Sequence, residues 1–264
     1  MTVSSVLLSA DAQEATAPKY SLLLSTDPVH IEAAQQLRYQ VFCAEPGYAL
    51  SASDDVDHFD QYCDHLLVRD DDSGELVGCY RMLPPAGAIA AGGHYMATEF
   101  DISELDPLRD SLVETGRAVV RGDHRNGAVM LLMWAGILAY LDHCGYPYVA
   151  GCVSVPIEGI GAPFEQVRGV HDFVMKRHRS AYTVRPNRPV SLGDVVPPAR
   201  PIVPPLMRGY LRLGTKVCGE PAHDPDFGVA DFPVLLDTRE ADLRYLKRLR
   251  SVAAASEMAE DIRS

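Results

Sequence analysis

The stretch LVETGRAVVRGDHRNGA, residues 112–128, decides how the rest of the chain is read. It reads as a strand that ends in a loop rich in Arg and Gly, with an apolar helix expected directly after it over residues 129–143. A strand that feeds a Gly-bearing turn into a helix N-terminus makes an anion site. The N–H groups of the first helical turn lack intrahelical acceptors, and the helix dipole favours a phosphate there. Arg121 and Arg125 add two charged donors, and Gly127 lets backbone approach a ligand. The spacing is not that of a Walker A loop, since Lys followed by Ser or Thr is missing, and it is not GxGxxG.

A chain of 264 residues suits one large domain or two small ones. Its apolar and charged fractions are those of a soluble globular protein. No apolar run reaches the roughly 20 residues that span a bilayer, and no basic segment followed by a long apolar stretch marks an export signal. The six cysteines stand singly, without a CxxC pair, as expected of reduced thiols in a cytoplasmic protein. Charge is uneven: residues 1–110 hold 5 Lys/Arg against 19 Asp/Glu, and residues 111–264 hold 19 against 17. The acidic half argues against nucleic acid as the main partner. The later arginines can meet an acidic carrier or a phosphate locally, while the acidic balance can equally serve solubility.

Outward from the central stretch, residues 1–18 are small and polar without periodicity and are expected to be disordered. Tyr20–Ser25 is a strand. Asp27 and Pro28 start a helix as N-cap and first residue, and Ile31, Ala34, Leu37 and Val41 repeat at helical spacing towards an end near Cys43. An acidic loop follows, residues 53–64. Strands over residues 65–69 and 76–83, joined by Asp-Asp-Ser-Gly, make a hairpin. Residues 101–110 carry a helical turn or two, and residues 148–155 are another apolar strand. This order suits an α/β sandwich with a mixed sheet. Residues 156–205 are Pro-rich and irregular, read as an insertion with one helix at 169–179 covering one side of the site. A short helix at 204–214 stops at Gly214, and late strands follow at 216–219 and 232–236. Residues 239–264 form an amphipathic helix whose Leu243, Leu246, Leu249 and Val252 share a face. That face either packs on the chain's own domain or docks on a membrane surface or an acidic carrier.

Charged residues inside apolar patterns mark the chemistry. The acidic set is Asp57, Asp60 and Glu114; the basic set is Arg38, Arg81 and Arg117. Charges in such positions must be paired when buried, so Arg38 and Arg81 read first as an ion-pair network. Glu114 is out of phase with its apolar neighbours just before the anion loop, and reads as a general base. In a regular strand Glu114 and Arg117 would point to opposite faces. His58, Cys63 and His65 lack a second ligand pair, so no metal is expected. His124 either touches the phosphate or is solvated, and residues 220–224 either face an amine pocket or form an Asx-type turn.

The ordered series Arg38-x-x-Val41-Phe42, Asp57-His58-Phe59-Asp60, Arg81-Met82-Leu83-Pro84 and Glu114-x-x-Arg117 resembles that of acyl-homoserine-lactone synthases. The loop at Arg125–Asn126–Gly127–Ala128 is similar to the Arg-x-x-Gly/Ala loop of the GNAT acyltransferase superfamily, though with fewer glycines. PPLMRGYLRLG at 204–214, then KVCGEPAHDPDF at 216–227 and ADFPVLL at 230–236, strongly resemble the ornithine lipid N-acyltransferase family, also called hemolysin-like. The resemblance spans residues 20–240, with a poor match over 156–205. It implies a single α/β GNAT-like domain, residues 19–238, with a mixed sheet flanked by helices and an elaborated C-terminal half. It also implies transfer of a fatty acyl group from acyl carrier protein to the α-amine of an amino acid such as ornithine, giving a lyso-ornithine lipid. No bound cofactor is implied; the donor is an acyl-phosphopantetheine thioester, on acyl carrier protein or coenzyme A. In that picture Glu114 is catalytic, and Arg38, Phe42, Asp57, Asp60, Arg81 and Arg117 form the substrate network. Ala118, Val119, Val120, Arg121, Arg125, Gly127 and Ala128 hold the donor. The rival readings are a synthase using S-adenosylmethionine and an acyl-carrier or lipid-binding protein without turnover. Peripheral membrane contact goes with the product.

Overall fold

A helix that is apolar on nearly every side has to be buried, and the fold is arranged to bury one. In the computed structural model, which describes residues 4–10 (as backbone), 20–44, 55–125 and 127–251, that helix is α3 (Gly127–Cys144), most of which lies in the main core. By length and composition α3 could cross a membrane, but it serves as the central core helix. It starts two residues earlier than the sequence pattern suggests.

α3 lies on one face of a mixed sheet. The strands run in the order β1 (Ser4–Ala10), β2 (Tyr20–Ser25), β3 (Asp64–Asp70), β4 (Leu76–Leu83), β6 (Leu112–Val120), β7 (Tyr148–Pro156), β11 (Val229–Asp237) and β10 (Ala222–Asp224), with β9 (Lys216–Val217) also on β11. Side chains alternate across the sheet with period two. Leu22, Leu66, Tyr80, Met82 and Val113 pack with α3, while Leu23, Leu67 and Cys79 pack with Ala34, Leu37 and Val41 of α1 (Pro28–Cys43) on the other face. The side chain of Asp27 caps α1 by accepting from the Val29 amide at 2.9 Å, with Pro28 as its first residue. α2 (Pro85–Ala91) follows β4 directly. The proline pair that reads as a strand stop is also a helix start, since Pro85 stands at a position where its missing N–H costs nothing.

Two features of β6 make room for a site. β6 and β7 run parallel but pair only from Leu112 to Thr115, opposite Tyr148 to Gly151. Beyond that point β6 continues along β4 while β7 stays with β11 for its whole length, so the two strands splay. Gly151 sits where they are closest; a Cβ there would overlap the backbone oxygen of Thr115. The second feature is a bulge. Arg81 pairs with Gly116 and Cys79 with Val119, so two residues of β6, Arg117 and Ala118, stand against Tyr80. Arg117 takes φ +52°, in the left-handed region. The bulge shifts the phase: Val113 and Val120 both pack with α3, seven residues apart. The expectation that Glu114 and Arg117 face opposite ways is thereby corrected, because it assumed a regular strand.

Three further expectations are corrected. The N-terminal segment read as disordered contains β1, which pairs antiparallel along β2. Edge pairing rests on backbone hydrogen bonds and leaves little pattern in the side chains. The segment 156–205 is more ordered than an irregular cover. Its helix α4 (Glu165–Arg177) packs into the main core, and β8 (Arg185–Pro186) pairs with β5 (Phe100–Asp101). Val184 joins a second core with Met96, Phe100, Leu105 and Leu108. The C-terminal helix starts at residue 243 rather than 239; of the two readings of its apolar face the structure takes packing on its own domain, with Leu246 and Leu249 buried in the main core. Residues 252–264 of that expected helix lie outside the described residues. α5 (Pro205–Leu213) ends at Gly214 in a left-handed cap, as its sequence suggests.

Candidate active site

The splay between β6 and β7 opens into a cavity of about 1230 Å³ that is lined from both faces of the sheet. On the α3 side its walls are Tyr80, Met130, Leu131, Met133 and Trp134, with Leu206 of α5 and Tyr245 of the C-terminal helix. On the α1 side they include Phe42, Phe59, Arg81, Tyr95, Glu114, Arg117 and Phe227. A cavity that draws on both faces at a strand splay runs through the sheet.

Glu114 is 4% exposed on this wall. Its Oε2 accepts from the Tyr95 amide at 2.7 Å and its Oε1 from the Met96 amide at 2.6 Å, so the carboxylate anchors the start of a short 3-10 turn. Burial raises its pKa to about 7 even though both amides favour the charged form. Each carboxylate oxygen has a second lone pair, so both amides can be satisfied while an acceptor position remains.

Behind the α1-side wall lies an ion-pair network. Arg38, fully buried, donates from Nε to Asp55 Oδ2 at 2.7 Å and from Nη1 and Nη2 to Asp60 at 3.0 and 2.9 Å, and also reaches the Asp55 carbonyl. Arg81 Nη1 lies 2.5 Å from Asp57 Oδ2 and 3.0 Å from Asp60 Oδ1. Burial alone would raise the Asp60 carboxyl, but hydrogen bonds and charge from Arg38, with the charge of Arg81, hold it well below the carboxylate range. Arg117 stands 3.5 Å from both Asp55 and Asp57, and its guanidinium lies over Tyr95 and Phe227. The sequence-derived network therefore assembles, with Arg38, Asp57 and Asp60 behind the wall and Phe42, Arg81 and Arg117 on it. Asp55 completes it, and nothing in its local pattern distinguished it from the rest of an acidic loop.

Of the expected donor residues, Ala118, Val119, Val120, Arg125, Gly127 and Ala128 line the cavity, so the N-terminus of α3 opens onto it. Arg125 Nε also donates to the Val120 carbonyl at 3.1 Å. Arg121 is a correction. It is held by Glu75 at 2.7 Å and Asp123 at 2.8 Å and does not line the cavity, because its neighbouring turn supplies acids within reach. His124 is neither solvated nor on the wall; its Nδ1 hydrogen-bonds with the Tyr20 hydroxyl at 2.9 Å. Asp224 forms the Asx-type turn that is one of the two readings, its Oδ1 accepting from the Asp226 and Phe227 amides, and it also reaches the cavity.

Asp224 also belongs to a group the sequence reading missed. Oxygens of Glu99, Asp224 and Asp231 lie within 4.8 Å of one another on the cavity wall. Burial and mutual repulsion push the Glu99 and Asp231 carboxyls upward. Only the position of Asp231 inside the apolar run ADFPVLL hinted at a role. His58 meets the Ala91 carbonyl, and His65 meets that of Asp60.

The mixed sheet thus splays beside a helix N-terminus, with a cavity through the gap. Residues 37–135 match the family described as the acetyltransferase (GNAT) domain. The chain belongs to the L-ornithine N(alpha)-acyltransferase family. It is 31% identical over 249 residues to the member from Brucella abortus (strain 2308), covering 84% of this chain and 86% of that one. It is 33% identical over 245 residues to the member from Rhizobium meliloti (strain 1021), covering 84% and 81%. In fold it is similar to FeeM, an N-acyl amino acid synthase from uncultured soil microbes, with TM-score 0.52 at 15% identity, covering 85% and 93%. It is likewise similar to the coenzyme A-dependent acyl-homoserine lactone synthase BjaI, with TM-score 0.50 at 16% identity, covering 86% and 83%. The chain is an N-acyltransferase of the GNAT class.

Proposed function

We propose that this chain moves a fatty acyl group from a pantetheine thioester, carried by acyl carrier protein, to the α-amine of ornithine, giving a lyso-ornithine lipid. The observation that carries this reading is the cavity through the sheet, whose lining includes a helix N-terminus with Arg125 and also carboxylates with Arg117. The names of the relatives support ornithine as the acceptor.

In this reading the phosphate of the donor arm sits at the start of α3, by Arg125, Gly127 and Ala128. Met130, Leu131 and Trp134 give its acyl chain an apolar wall. Arg117 holds the carboxylate of the acceptor. The acceptor attacks as the neutral amine, and Glu114 takes a proton from its nitrogen as the bond forms. The amine nitrogen forms a bond to the thioester carbon, the carbon–sulfur bond breaks, and the proton leaves with the thiolate. Backbone N–H groups in 118–120 stabilise the oxyanion between these steps. No covalent enzyme intermediate is needed.

The test is a mass-detected assay of the protein with acylated carrier protein, a panel of amino acids and S-adenosylmethionine. N-acyl-ornithine is the expected product. A homoserine lactone product, or no product from any amine, overturns the reading.

A further inference from the structure

Beside the α3-side wall of the cavity, two helices present rows of cations. On α5, Arg208 and Arg212 are one turn apart and both line the cavity. On the C-terminal helix, Arg244, Lys247 and Arg248 share one face by the same spacing, and Arg248 lines the cavity too. All five are exposed, and among the described residues none has an ion-pair partner. Asp242, just before the C-terminal helix, uses its Oδ1 to accept from the Arg244 and Tyr245 amides. Like charges at this spacing repel, so a helix gains nothing from them internally. They stand out further on a chain whose net charge is −12.

Two kinds of partner would suit such a surface: an anionic bilayer or an acidic protein. A helix that inserts in a bilayer needs a free apolar face. Here most of that face is spent: Leu246 and Leu249 are 1% and 0% exposed in the core of the chain itself, and Leu243 alone among its described leucines stays outward, at 66%. One exposed leucine is a small apolar anchor for a bilayer, whereas the outward cations are several. Arg244 and Lys247 do not line the cavity, so a phosphate inside it leaves them unused. A folded donor that stays outside while its arm enters would meet them.

We propose that Arg208, Arg212, Arg244, Lys247 and Arg248 form the docking surface for an acidic carrier protein, which threads its thioester arm past α5 into the cavity. The proposal rests on the acyl-transfer reading above and adds the surface that selects the donor. It makes the C-terminal helix a recognition element whose buried half holds the fold and whose exposed half reads the carrier.

The test uses the full-length protein and the exposed pair Arg244→Glu with Lys247→Glu. The donors are acyl carrier protein bearing a fatty acyl chain and the same chain on free pantetheine, with ornithine as acceptor. The expected result is a KM for the carrier-bound donor raised about tenfold or more, since rim charges govern encounter, and unchanged kinetics on acyl-pantetheine. The difference should shrink in high salt, which screens exposed charges. Fluorescence anisotropy with labelled, unacylated carrier reads the same docking without turnover, so it stands even if ornithine proves not to be the acceptor. Unchanged carrier affinity overturns the proposal. So does equal loss on both donors, or a loss seen only as weaker flotation with phosphatidylglycerol vesicles, which would assign the surface to a membrane.

Discussion

Glu114 holds a loop and sits where a base is needed, and the two roles make different forecasts. Glu114→Gln offers one oxygen where two backbone amides now find acceptors. An unpaired buried N–H costs about 1–3 kcal/mol, so the variant should unfold at lower denaturant. If the carboxylate also takes the proton, kcat should fall by about 10²-fold or more. The rise of wild-type kcat through pH 7, where the buried carboxyl ionises, should disappear. A variant that is less stable but keeps the wild-type pH profile would leave Glu114 only its anchoring role. The same carboxyl has a stability signature. Its pKa goes from 4.5 to about 7 on folding. The folded state therefore binds the proton more tightly, and stability falls as pH rises from about 4.5 to 7, by about 3 kcal/mol for this group. Raised Glu99 and Asp231 act in the same direction. Depressed Asp60 acts oppositely, and its contribution is lost only as pH falls below the ordinary 3.8. Calorimetry should find a lower Tm at pH 8 than at pH 5, with a shallower slope in Glu114→Gln. At this scale the sequence disclosed Arg38 and Arg81 well, because a charge in an apolar run must find a partner. Glu99 and Asp55 were hidden because their partners come from remote segments.

Among elements, the splay of β6 from β7 depends on how closely the strands approach just before it. Gly151→Ala would press a methyl group on the Thr115 backbone. The expected cost is about 1–3 kcal/mol, read as a lower denaturation midpoint at unchanged m-value. A neutral result would show that the strands can part there freely. The helix ends at Asp27, Pro28 and Gly214 were legible because capping is local chemistry. The bulge at Arg117 was not. Glycine or asparagine would advertise a left-handed residue, while arginine does not. One extra residue then reverses the facing of everything beyond it.

For the whole molecule, the test of the C-terminal helix is truncation after Thr238. It removes Ala241, Leu246 and Leu249 from the main core. Losing a buried leucine side chain costs about 2–5 kcal/mol, so the shortened chain should lose its cooperative thermal transition. A wild-type Tm would mean that the core closes without the helix. The alternation of strands and helices made the α/β class and mixed sheet readable from sequence. The contribution of 156–205 to two cores was not, since its prolines and short segments carry no period from which packing could be inferred.

A cavity that passes through the sheet has consequences for the order of events in turnover. With walls on both faces, acceptor and donor can approach from opposite sides, and neither has to leave before the other arrives. Initial-rate data with both substrates varied should then give intersecting double-reciprocal lines, as for a ternary complex, whereas parallel lines would signify an acyl-enzyme. Inhibition by an acceptor analogue should be competitive with the amine and not with the donor. In the proposed reaction the spent thiol would depart by the way it came, while the product, part amino acid and part alkyl chain, would still lie across the gap. Its withdrawal, slower for longer chains, would then set the pace.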